Sequence, residues 1–133
     1  LLHRAYIEAD MAVSIVTHGT PASNRTVINT DCDETEDEVY TGASVIRSVE
    51  INNTANSAAT YVKLHTTDTS NTTPGTTVPD MVLMAPASSS ITYAFAQGVS
   101  FADRITLWAV SLPGTAGNTG PTSAVTTRIL IQV

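Results

Sequence analysis

Any chemistry in this chain has to start from its carboxylates. Six of its twelve acids, Asp31, Asp33, Glu34, Glu36, Asp37 and Glu38, fall in the single run TDCDETEDE. Mutual repulsion predicts a solvated loop there. Hard cations take several carboxylate oxygens, yet the run lacks the glycine-punctuated spacing of calcium loops. The other use is an acidic tip, led by Asp33, Glu34, Glu36 and Asp37, that meets a basic patch on a partner and chiefly speeds and orients association. A glycosidase-like pair of carboxylates forms only in space, and a loop this charged is not expected to raise a pKa by burial. His3, His18 and His65 stand in no recognisable motif, and GxSxG, HExxH and phosphate-binding glycine loops are all missing from the sequence. Catalysis is therefore not expected, and neither is a cofactor.

Cys32 is the only cysteine, so no intrachain disulfide and no cysteine-based metal cluster can form; the reading is a free thiol in a loop. Trp108, Tyr40, Tyr61 and Tyr93 could stack on sugar rings, but two of the four lie inside apolar strand patterns, where core packing competes. Nucleic acid is not an expected partner. The net charge is −6, and the six basic residues, Arg4, Arg25, Arg47, Lys63, Arg104 and Arg128, are scattered. No apolar run approaches the ~20 residues of a membrane span and no signal-peptide pattern is present, so the chain reads as soluble with no membrane partner. It begins at Leu1 without methionine, which fits the loss of a leader or initial segment.

The elements that must position these groups are strands. At 133 residues the chain fits one domain, 11–133, preceded by an arm, 1–10, whose Leu2, Tyr6 and Ile7 have near-helical spacing in a piece too short to be a stable isolated helix. MAVSIVT (11–17) reads as a strand, with another around Arg25–Asn29. The clearest pattern is 43–66: Val45, Val49 and Ile51 share one parity, Thr60, Val62 and Leu64 another, and NNTANS lies between them. That reads as a hairpin with one dry face. Arg47 breaks the apolar parity and is expected at a bulge or rim. The long loop 66–80, the strands MVLMA and ITYAF, a central strand 105–111 apolar on both parities, the Gly/Pro-rich loop 112–122 and a last strand 124–133 complete the chain. About eight strands separated by turns and no long helix predict an all-β fold, an antiparallel β-sandwich of jelly-roll or immunoglobulin-like type.

The same elements carry a resemblance. Ile51-Asn52-Asn53-Thr54 with Val62-Lys63-Leu64, then Pro74-Gly75-Thr76-Thr77-Val78-Pro79, Leu83-Met84-Ala85-Pro86 and Gly98-Val99-Ser100-Phe101 follow one another as in small virion structural proteins of tailed bacteriophages, which the segment Val45 to Phe101 resembles. The Pro-Gly-Thr passage is shorter, Val99 stands for a leucine, and the acidic run has no counterpart. The resemblance implies a repeated building block of a phage particle, foremost a decoration or cement protein on the outer head surface. It would bind the major capsid protein or other virion proteins as a homo-oligomer, a trimer by preference. Leu1, Leu2, Tyr6 and Ile7 are the expected anchors, with the loops 66–80 and 112–122 as further contacts. The alternatives are a neck, tail or baseplate position, or a carbohydrate-binding receptor module.

Overall fold

The alternating segments form nine strands in the computed structural model, which describes residues 12–18 and 24–133. They are β1 (Val13–Thr17), β2 (Asn24–Cys32), β3 (Asp37–Thr41), β4 (Ser44–Asn52), β5 (Thr60–His65), β6 (Met81–Ala85), β7 (Ser90–Phe101), β8 (Arg104–Val110) and β9 (Val125–Gln132). Five make one antiparallel sheet in the order β1-β2-β9-β4-β7; four make the other in the order β3-β8-β5-β6. All but two successive connections cross between the sheets, the exceptions being β1–β2 and β5–β6. With β1 set aside as an added edge strand, β2-β9-β4-β7 over β3-β8-β5-β6 is a jelly roll. The two sandwich types left open by the sequence are thereby separated. Among the described residues no helix is long and apolar enough to cross a membrane.

The ninth strand is β3. It uses Asp37 and Glu38, so the acidic run is not one solvated loop: Asp31 and Cys32 end β2, and only residues 33–36 connect the sheets. A second correction concerns 43–66. Strands β4 and β5 belong to different sheets and do not pair. The segment is an arch over the core, because alternation records which face of a strand is dry and says nothing about which strand lies beside it.

The core fills the space between the sheets with Val27, Ile46, Val49, Ile51, Val62, Leu64, Ile105, Leu107, Ala109, Ile129 and Ile131, each at most 1% exposed. Arg47 sits at a bulge: the register of β4 shifts between Ile46 and Ser48 against both neighbours. Against β9 the extra residue of β4 flips parity, so Ile46 points inward and the expected core residue Val45 does not, while on the other side the extra residues belong to β7. Arg47 reaches Gln132 Oε1 through Nη2 (2.7 Å). Opposite the bulge Gly98 has φ +75, and a Cβ there would collide with Val45 Cγ1, so both backbone and space demand glycine.

Strand β8 is central, as its two apolar parities predict, and loops roof its outward face. Thr106 donates to the carbonyl of Thr67 (2.5 Å), Lys63 Nζ to the carbonyl of Gly114 (2.5 Å), and Gly75 lies against Asn118. Loops 66–80 and 112–122 thus pack on the four-stranded sheet and on one another. Trp108, Lys63, Thr106 and Val110 beneath them are out of solvent.

Candidate partner-binding site

Strands β2, β4, β6 and β8 all run toward one end of the sandwich, so the connections 33–36, 53–59, 86–89 and 111–124 gather there. None of them contains Lys, Arg or His. Arg25, Arg47 and Arg104 begin or nearly begin strands β2, β4 and β8 and therefore lie toward the opposite end. The end that gathers these connections thus carries acids of the run and no basic residue in its loops, whereas at the opposite end Arg104 lies among Glu38 and Asp103.

The acidic end is built from buried amides. Asn29, on the core parity of β2 and fully buried, donates from Nδ2 to Asp37 Oδ2 (2.9 Å) and accepts the Asp31 backbone N–H on Oδ1 (3.0 Å). One side chain thus clamps both flanks of the acidic connection. Asp33 accepts the Ala109 N–H on its carbonyl (2.6 Å) and the Thr35 N–H on Oδ1 (2.9 Å), which ties the connection to β8 and closes a local turn. Glu34 lies against Gly120, where a Cβ would collide with its carboxylate. The backbone of the acidic connection is therefore held at Asp31, Asp33 and Asp37, which lowers the ordering cost of binding there.

Alongside it, Asn53 is also fully buried. Its Nδ2 donates to the carbonyls of Ala58 (3.0 Å), Pro86 (3.0 Å) and Ala85 (3.3 Å), and its Oδ1 accepts from Asn56 Nδ2 (2.8 Å) and Thr60 Oγ1 (2.9 Å). Asn56 continues the network to Ser123, donating to its carbonyl and accepting its N–H, both at 2.8 Å. Sequence reading missed Asn29 and Asn53. The available signal for Asn29 was an amide on the inward parity of a strand, where a polar group persists only if its hydrogen bonds are met; Asn53 lies in the arch one residue past β4.

The expected site residues divide. Asp33, Glu34, Glu36 and Asp37 come together at this end, whereas Leu1, Leu2, Tyr6 and Ile7 lie outside the described residues. Glu38 leaves the group: Arg104 Nη1 donates to both its oxygens (3.0 and 3.2 Å) and Thr41 to one (2.5 Å). Among the described residues no cation pairs with the other five acids. Burial first, then the charges of Asp33, Asp31 and Glu36, push the Asp37 carboxyl above its ordinary value, against the lowering bond from Asn29. This corrects the expectation that no acid of the run would be raised by burial. Cys32 is likewise no loop thiol; it is 1% exposed at the end of β2, and burial and the nearby Asp37, Asp33 and Asp31 hold its thiol pKa well above the usual range.

Among the described residues no three His, Cys, Asp or Glu side chains converge as a metal would require. Trp108 is 1% exposed, so it offers no face to a sugar; Tyr93 donates to the Met84 carbonyl (2.6 Å) and Tyr40 accepts from Arg25 (2.7 Å). His65 Nδ1 is 2.9 Å from Asp80 Oδ2 without hydrogen-bond alignment, and His18 contacts Thr26 Oγ1 at the surface. A shallow cleft lies nearby between Thr66, Asp80 and residues 99–102. No family model, no curated protein and no solved structure matches the chain.

Proposed function

We propose that this chain is a non-enzymatic structural protein of a bacteriophage particle, a decoration protein that binds the outer head surface and stabilises the shell. The observation that carries the reading is the acidic end, where Asp31, Asp33, Glu34, Glu36 and Asp37 gather on a connection whose two flanks, Asp31 and Asp37, are bonded by Asn29, with no compensating cation in the neighbouring connections. Such a surface suits fast, oriented docking on a basic patch of a shell subunit. Two further features support the reading. The segment Val45 to Phe101 resembles phage virion proteins, and the jelly roll is an architecture used by viral capsid domains, although also by lectins and cupins. The burial of Trp108 removes the main argument for the carbohydrate alternative. Mechanically, each copy would add contact area between neighbouring subunits, and symmetry multiplies modest interfaces into a stabilised shell.

The test is copy number in purified particles, measured by quantitative mass spectrometry. Copies on the order of hundreds are expected for a shell protein, whereas roughly six or twelve would assign the chain to a ring in the neck or tail and overturn the head position. Particles lacking the chain are expected to release DNA at a lower temperature.

A further inference from the structure

The two edges of the four-stranded sheet are guarded differently. Strand β3 carries Asp37 and Glu38, charges that discourage pairing with another chain. The other edge, β6, is Met-Val-Leu-Met-Ala: it has no charge and pairs with β5 without a bulge. Its outward side chains Val82 and Met84 are each 40% exposed, and Val78, in the loop before the strand, is 69% exposed. Carbonyls along a strand alternate sides. That of Ala85 turns to Asn53, on the β5 side, while that of Met84 turns off the free edge to the hydroxyl of Tyr93. Among the described residues no backbone group pairs with this outer edge.

We propose that β6 is a self-association edge, at which two copies of the chain pair β6 to β6, antiparallel, about a two-fold axis at Leu83. The occupant follows from the strand itself. In this register Val82 lies opposite Met84 of the second copy and Met84 opposite Val82, so the exposed apolar side chains cover one another. These are the residues whose backbone groups face outward, so both pairs are hydrogen-bonded, while Leu83 meets Leu83 of the second copy across the axis. Asp80 falls opposite Pro86 rather than another acid, and Pro86, with no N–H, ends the ladder. For a chain of net charge −6, an uncharged edge is where two copies approach at least electrostatic cost. Tyr93 acts as the competitor: its hydroxyl occupies the Met84 carbonyl in the single chain and must release it on pairing. The proposal stands independently of the virion role, and its two-fold pairing differs from the three-fold association implied by the resemblance.

Sedimentation velocity of the full chain from about 10 μM to about 1 mM tests it. A dimer that grows with concentration is expected. Val82→Lys and Met84→Lys should each raise its Kd at least tenfold, and Tyr93→Phe should lower it several-fold by removing the competing donor. Amide exchange of the unmodified chain gives a second readout that does not depend on the variants folding: the Val82 and Met84 N–H groups should slow with concentration while that of Leu83 does not change. A monomer throughout, a trimer, a dimer indifferent to both lysine variants, or exchange at Val82 and Met84 that ignores concentration would each overturn the proposal.

Discussion

The side-chain amide of Asn56 donates to the side-chain carbonyl of Asn53 over 2.8 Å, with both residues out of solvent. Through this bond the β4–β5 arch, the β6–β7 turn and the approach to β9 share one polar network. It is fully satisfied, and a network of that kind fixes a unique arrangement.

Asn53→Ala removes the hub and strands the Asn56 and Thr60 donors together with the carbonyls of Ala58 and Pro86. A buried group left unpaired costs ~1–3 kcal/mol, so a loss of about 3 kcal/mol or more is expected, seen as a fall in Tm of roughly 10 °C. Thermal melts followed by circular dichroism check this, and a change below about 1 kcal/mol would mean that water takes over the role of the amide.

Lys63 lies beneath the loop 112–122 with no carboxylate partner among the described residues, and burial lowers its pKa. The folded chain thus binds the Lys63 proton less tightly than the unfolded chain does. Its charge costs stability at neutral pH, and that cost is relieved as pH rises from the lowered folded value toward 10.5. Lys63→Met, close in volume, is expected to stabilise the fold by about 1–3 kcal/mol at pH 7 and to lose the alkaline rise. Urea unfolding at neutral and alkaline pH measures both.

Asp37 has the opposite sense. Its carboxyl is raised, mainly by burial, so the folded state holds the proton more tightly. At pH above the folded value the charge costs stability, and the cost disappears as pH falls through the folded value toward 3.8. Asp37→Asn can keep accepting from Asn29 Nδ2 and should gain roughly 0.5 kcal/mol at pH 7 after solvent screening, with the gain vanishing near pH 4. Denaturation at the two pH values gives the comparison.

Cys32 should not react with a disulfide reagent in the folded chain at pH 8 and should react promptly in urea, because attack requires an exposed thiolate. Rapid labelling without denaturant would show that the end of β2 opens readily. Cys32→Ser places a hydroxyl in an apolar pocket and should cost about 1–3 kcal/mol.

The alternation of Val49 and Ile51, and of Val62 and Leu64, placed those side chains in the core, and the double parity of 105–110 marked β8 as central. Both follow from the two-residue period of a strand, a local property that sequence carries directly. The odd placement of Arg47 marked the bulge for the same reason.

Partnership was another matter. Nothing local says that β4 pairs with β7 and β9 rather than with β5, because hydrogen-bonded neighbours are chosen by how the whole chain wraps, and the alternation of an arch equals that of a hairpin. Cover was also hidden. Trp108 and Lys63 lie on the outward parity of their strands and would be exposed in a bare two-layer sandwich; loops distant in sequence bury them. At the candidate site the sequence supplied the carboxylates of Asp33, Glu34, Glu36 and Asp37, since composition alone reveals a charge run. Only the tertiary structure brought Asn29 beneath them, removed Glu38 to Arg104 and half-buried Asp37, because burial and ion pairing depend on neighbours the fold brings in from elsewhere in the chain.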